Sequence, residues 1–220
     1  ANNGGVFYMQ NVPDVTLLFN GTTEFSNNSL NNGGMGGVIG NGWLSSVDGS
    51  GYTVGGKVVF NGATTFSGNS TNNPNGGGAI FNYGMGNATS PDITFIDSVA
   101  FTNNTATQSS PSVYVGGGAI NHRNGMIVFN SDATFNNNKS ASGGGAIMSA
   151  GDMIFNGAAN FDGNSAELNG GAISVLGGHV TFAGPATFTS NTATGASAIF
   201  IKESAKGLTF NDTAFFSSNT

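Results

Sequence analysis

The sequence predicts an all-β fold: a right-handed parallel β-helix (β-solenoid) of about seven coils, with three short strands per coil and no caps. Three observations predict it. First, the pattern Phe, five residues, Phe, two residues, Asn occurs seven times in 220 residues: Phe19/Phe25/Asn28, Phe60/Phe66/Asn69, Phe95/Phe101/Asn104, Phe129/Phe135/Asn138, Phe155/Phe161/Asn164, Phe182/Phe188/Asn191 and Phe210/Phe216/Asn219. Second, a Gly-Gly motif followed by small and apolar residues alternates with it: Gly37-Val38-Ile39, Gly78-Ala79-Ile80, Gly118-Ala119-Ile120, Gly145-Ala146-Ile147, Gly171-Ala172-Ile173 and a decayed Ser197-Ala198-Ile199. Third, successive copies are 41, 35, 34, 26, 27 and 28 residues apart, and an internal period in that range is the signature of a solenoid.

Each element of the coil follows from its columns. Two residues before the first Phe stand Leu17, Val58, Ile93, Ile127, Met153, Val180 and Leu208, all apolar. By the two-residue alternation of strands they share a side with the Phe, while the largely β-branched residues between them face out. Four after the first Phe the residue is mostly small, and six after stands the second Phe, so both Phe columns point inward and form a core stack. The Asn that ends each motif reads as a turn, because Asn tolerates the left-handed conformation and can bond neighbouring backbone. Asn20, Asn61, Asn130, Asn156 and Asn211 add a second, less regular turn column. Stacked about 4.8 Å apart, such amides can also pair as ladders. The Gly-Gly pair marks a third corner.

The Phe-to-Asn segment never changes length, so the extra residues of the first coils are surface loops, expected near 40–56, 82–91 and 105–116 of a single domain over 1–220. A minimal coil of 26 residues exceeds the roughly 18 of a left-handed hexapeptide solenoid. Right-handed winding follows from the usual hand of parallel crossovers.

Composition narrows the function. Charged residues are only 7% of the chain, so its polar surface is built from amides and hydroxyls. Five basic against eleven acidic residues leave no basic stripe for nucleic acid or an anionic membrane. No cysteine is present to form disulfides or thiolate metal sites, and no apolar run reaches the roughly 20 residues of a membrane span. With no signal peptide and a start at Ala1, the chain reads as a mature or excised product, secreted or at the cell surface.

The alternation of Gly-Gly-Ala-Ile with Phe, two residues, Asn resembles the passenger domains of the chlamydial polymorphic membrane proteins and related bacterial surface proteins. The resemblance runs along essentially the whole chain. It implies a right-handed parallel β-helix, exported through an autotransporter barrel and used for adhesion to host cells. The family's cysteines and translocator barrel have no counterpart in these residues.

At both ends the repeat runs on without a cap. Ala1-Asn2-Asn3-Gly4-Gly5-Val6-Phe7 is itself a Gly-Gly motif, and Asn219-Thr220 joined to it resumes the register, with the interval that separates Asn191 from Ala198. Either the chain is a window of a longer solenoid or copies stack head to tail, with Gly4, Gly5, Val6 and Phe7 at one assembly end and Phe210, Phe216 and Asn219 at the other.

Catalysis is not encoded visibly. No two acids share an offset in consecutive coils, as paired carboxylates would require. Lys57 with Asp92, and Asp152 with His179, fall in one column of adjacent coils and read as surface charge pairs rather than an acid/base pair. His122 and Arg123 read as solvated rather than anion-binding. No calcium loop, phosphate loop, cofactor motif, metal set or outward threonine array appears. Most of the N-glycosylation sequons, at Asn20, Asn27, Asn69, Asn87, Asn103, Asn138 and Asn211, read as accidents of composition. The expected function is a non-enzymatic extracellular structural and adhesive solenoid. Its main partner would be itself, as a head-to-tail homopolymer, with a host or cell-surface glycan or protein as the target. The alternatives are a segment of a longer autotransporter-type adhesin and, more remotely, a polysaccharide-processing enzyme.

Overall fold

The computed structural model is a parallel β-helix of seven coils, described over residues 5–31, 34–44, 52–73, 75–84, 92–108 and 115–220. Four parallel ladders run along its length. One contains the first-Phe strands, from Thr16–Phe19 to Gly207–Phe210; a second contains the second-Phe strands, from Thr23–Ser26 to Ala214–Ser217. A third is built by the strands after the glycine corner, from Phe7–Met9 through Ile39–Asn41 to Ile199–Ile201. These are the three strands of each coil. Two-residue strands such as Ser70–Thr71 and Lys139–Ser140 add a fourth, six-stranded ladder directly after the asparagines.

Register is kept between coils at every Phe. Phe60 pairs with Phe19 and Phe95, and Phe101 pairs with Phe66 and Phe135. The alternation that the sequence predicts is the burial pattern observed: in Lys57–Phe60, Val58 and Phe60 are sealed while Lys57 and Val59 are only partly covered. Each Phe lies almost flat on its counterpart, with centroids 4.4 Å apart for Phe129 and Phe155 and 5.1 Å for Phe95 and Phe129. Within a coil the two Phe rings meet edge to face, at 6.0 Å and 76° for Phe155 and Phe161. Both geometries are favourable for aromatic quadrupoles, so the column gains contact energy in two directions beyond area burial. The Ile column, from Ile39 to Ile173, closes the third side of this core.

The turn after the second Phe corrects one expectation. The left-handed residue precedes the recurrent Asn instead of being it: Asn27, Gly68, Asn103, Asn137, Gly163, Ser190 and Ser218 all have φ between 54° and 65°. Their αL conformation turns the next residue inward, which is why the recurrent Asn is available to the interior.

The expected insertions start later than their sequence bounds. Gly40 and Asn41, Asn82 and Tyr83, and Thr105 and Ala106 belong to ladder strands, so the core register is complete before each loop departs. The first insertion contains an antiparallel pair, Trp43–Leu44 with Tyr52–Thr53. Residues 45–51, 85–91 and 109–114 of the three expected loops lie outside the described residues, as does Gly4 of the expected assembly end.

Candidate functional site

The asparagine column is a continuous hydrogen-bonded ladder inside the wall. Asn104 shows the unit. Its Oδ1 accepts the backbone N–H of Asn69 at 3.1 Å and the Asn69 Nδ2 at 3.0 Å. Its own Nδ2 donates down to the carbonyl of Phe66 at 2.9 Å and up to Oδ1 of Asn138 at 3.0 Å. One side chain thus bonds three coils, and a fully buried amide is satisfied on every donor and acceptor. The same pattern links Asn28, Asn69, Asn104, Asn138, Asn164, Asn191 and Asn219. Asn69, Asn104, Asn138, Asn164 and Asn191 are sealed from solvent, so Asn69 and Asn138 are closed to glycosylation in the folded chain. The second asparagine column forms only short exposed pairs, Asn61 to Asn20 and Asn156 to Asn130.

The ladder is polar, and its ends are complementary. At coil seven, Asn219 uses its Oδ1 for Asn191 and one Nδ2 hydrogen for the Phe188 carbonyl. Its backbone N–H and its other Nδ2 hydrogen face the position of an eighth coil. At coil one, Asn28 donates upward to Asn69, and its Oδ1 is the acceptor that the ladder's geometry aims downward. Around Asn219 the last coil exposes an apolar rim: Ile201 is 50%, Phe215 54% and Phe216 47% accessible. Phe216 is an interior Phe with nothing above it, whereas Phe215 stands on the outward face, paired in register with Thr187. Phe210 is half-buried. At the other end Val6 is exposed, while Phe7 packs edge to face on Phe19 at 5.6 Å. Gly5 donates its N–H to Gly36.

The charge columns are rearranged relative to the sequence reading. Asp92 is buried rather than on the surface, and its Oδ2 accepts the Met126 N–H at 2.8 Å. Asp152 accepts the backbone N–H of His179 at 2.8 Å and lies 3.6 Å from the Lys206 ammonium. The His179 imidazole turns instead to the Thr209 hydroxyl at 2.8 Å, so carboxylate and ring are not in acid/base contact.

His122, expected to be solvated, is fully buried. It stands in register with Asn41, Asn82 and Ser149, a polar column inside the post-glycine ladder. Asn41 donates to Asn82 Oδ1 at 2.7 Å, Asn82 Nδ2 faces His122 Nδ1 at 3.1 Å, and His122 Nε2 meets the Asp152 carbonyl at 3.1 Å. A carbonyl accepts and an amide nitrogen donates, which fixes the neutral tautomer with its proton on Nε2. Burial lowers the His122 pKa to about 4, against smaller upward pulls from hydrogen bonds to the Asp152 and Gly125 carbonyls. Arg123 occupies a β-bulge, since Asn82 pairs with His122 but Tyr83 pairs with Asn124. Its guanidinium donates to Asn75 Oδ1 at 3.0 Å, and burial lowers its pKa to about 10.

On the outer face, a groove of about 290 Å³ crosses coils one to four between the two Phe ladders. Thr22, Thr65, Ser98, Thr134 and Asp132 line it together with Ala63, Val99 and Ala100, so most of its wall is apolar. Its members recur three to five residues after the first Phe of coils one to four, but no polar residue type is fixed at those offsets, so the columns carried no signal for a groove. Among the described residues no three His, Cys, Asp or Glu side chains are grouped as a metal site.

Four stretches of the chain, residues 63–83, 98–123, 132–150 and 158–175, match the Chlamydia polymorphic membrane protein repeat, the repeat of a surface-exposed, passenger-type family. Each match runs from the second-Phe strand across the Asn ladder and glycine corner, so the matched unit is the part of the coil that makes the hydrogen-bonded wall. Comparison with curated proteins and with solved structures gives no match.

Proposed function

We propose that this chain, whose middle coils carry the polymorphic membrane protein repeat, is a non-catalytic adhesive scaffold displayed at the cell surface, and that copies stack head to tail through coils seven and one. The observation that carries the stacking reading is the polarity of the Asn ladder: unused donors at Asn219 and the aimed acceptor of Asn28 are the two halves of the bond made at every coil interface. The exposed Ile201 and Phe216 support it, because a second copy continuing the register would cover them with Met9 and Phe25 of its first coil. Adhesion is assigned to this groove, whose mixed wall suits a glycan: small apolar groups for the faces of a sugar ring, with hydroxyls and one carboxylate for its polar edge.

Deletion of residues 1–7 tests the stacking. Sedimentation of the intact chain is expected to give species larger than the monomer, and the truncated chain only a folded monomer; polymers that persist after the deletion overturn the reading. For adhesion, Thr134→Arg is expected to abolish retention of the chain on immobilised cell-surface glycans without changing its circular dichroism. Equal retention of both proteins would move the contact away from the groove.

A second reading is favoured by the repeat match itself: the coils are part of a longer passenger, and coil seven receives the next coil of the same polypeptide. Intact mass of the native material separates the readings, since a separate subunit would weigh 22.0 kDa.

A further inference from the structure

The glycine corner brings neighbouring coils into close approach at the same point of every described interface. A Cβ built on Gly5, Gly37, Gly78, Gly118, Gly145 or Gly171 would overlap the carbonyl oxygen of the equivalent residue one coil further on, from Gly37 for the first to Ser197 for the last. Six consecutive interfaces therefore demand a residue without a side chain at the same point. Coil seven breaks the rule, since the equivalent residue is Ser197. Downward the corner of coil seven is regular: the Ser197 carbonyl lies against Gly171, and the Ala198 carbonyl accepts from both Ala172 and Ile173, as Ala172 does from Ala146 and Ile147. Upward, the Ser197 Cβ stands where a following coil would put its carbonyl.

We infer that Ser197 is a steric brake on stacking: its Cβ prevents a coil of standard geometry from seating on coil seven at the glycine corner. The inference rests on the head-to-tail reading and sets the strength of that joint. In a stacked pair the incoming carbonyl is that of Gly5 in the second copy. It must move outward by about 1 Å or more to restore ordinary contact, and the hydrogen bonds that Ala198 and Ile199 would make upward are stretched with it. The Phe faces and the Asn ladder still match, so the joint forms, but one of its corners stays open. It is thus weaker than any interface inside the solenoid, and assembly is reversible and dependent on concentration. An eighth coil supplied by residues beyond Thr220 would meet the same Cβ.

The atom responsible is the Cβ and not the hydroxyl, which gives the test its control. Sedimentation equilibrium of the wild-type chain, Ser197→Gly and Ser197→Ala measures the association constant, with circular dichroism to verify folding. Ser197→Gly is expected to tighten association by roughly tenfold or more, while Ser197→Ala, which keeps the Cβ, stays within about twofold of wild type. Adding Phe216→Arg to Ser197→Gly is expected to return the protein to monomer, which locates the gain at coil seven. Equal association of wild type and Ser197→Gly, or equal tightening by Ser197→Ala, overturns the brake while leaving stacking intact. Monomers for all variants at the highest soluble concentration overturn the stacking reading, and the brake with it.

Discussion

At the scale of single residues, the interior is dominated by rings whose removal cannot be repaired by local collapse. Phe135 is fully buried, lies on Phe101 at 4.9 Å and Phe161 at 4.7 Å, and meets Phe129 edge to face. Phe135→Ala is expected to destabilise the chain by about 3 to 5 kcal/mol in urea unfolding, because flanking rings held in ladder register cannot move into the cavity. Unchanged stability would contradict the interior column. His122 gives the molecule an acid limit. Its folded pKa of about 4 lies below the ordinary 6.5, so above pH 6.5 both folded and unfolded states hold it neutral. Between pH 6.5 and 4 the unfolded chain takes a proton that the folded chain refuses, and stability falls by about 3 kcal/mol over that window. His122→Asn, which repeats the Asn82 solution in the next coil, is expected to flatten this part of the profile. A wild-type profile already flat from pH 7 to 4 would show that the ring is not neutral and buried. Asn41, Asn82 and His122 each stand two residues after the Ile of the glycine motif, a shared offset that aligning the copies on Phe passes over; their burial follows from the observed register, which turns that position inward.

At the scale of the element, the Asn ladder and the glycine corner do complementary work: one bonds adjacent coils and the other lets them approach. The ladder's existence was readable in the sequence because the interval between Phe and Asn never varies. Its direction was not, because the left-handed residue that turns the Asn inward is Asn, Gly or Ser in different coils and carries no fixed letter. Fourfold ladder architecture was hidden for a similar reason, since the short strands after each Asn have only two residues and no shared residue type. Asn138→Ala removes the acceptor for the Asn104 N–H and Nδ2 and the donor to the Phe101 carbonyl, leaving buried groups unpaired. A loss of about 3 kcal/mol is expected by chemical denaturation. Asn28→Ala, at the partly exposed end with one inter-coil partner, is expected to cost less than about 1 kcal/mol, because water replaces what is lost. Equal costs at the two positions would mean that the bonds act singly and not as a buried ladder.

At the scale of the whole molecule, each coil is laddered to the coil below and the coil above, so stability is approximately a sum of coil terms and nearest-neighbour interfaces. Coils three to six have two such neighbours, with sealed Phe, Ile and Asn columns, while coil seven has one and leaves Phe216 and Ile201 open. Amide hydrogen exchange of the monomer is therefore expected to be slowest for Ala119, Ile120, Ala146 and Ile147, whose N–H groups bond the next coil, and to accelerate towards coil seven. The gradient becomes a second measure of assembly. When copies stack, Asn219 gains an acceptor and coil seven gains a neighbour, so its protection should rise towards that of the middle coils while coils three to six stay unchanged. The brake adds a local signature. With Ser197 present, protection on stacking is expected to rise at Asn219 but little at Ala198 and Ile199, beside the obstructed corner; in Ser197→Gly it should rise at all three. A uniform rise at coil seven in the wild-type chain would mean that the corner closes despite the Cβ. A monomer with the same exchange rates in coils four and seven would mean that the solenoid unfolds as one cooperative block instead of fraying from its exposed coil.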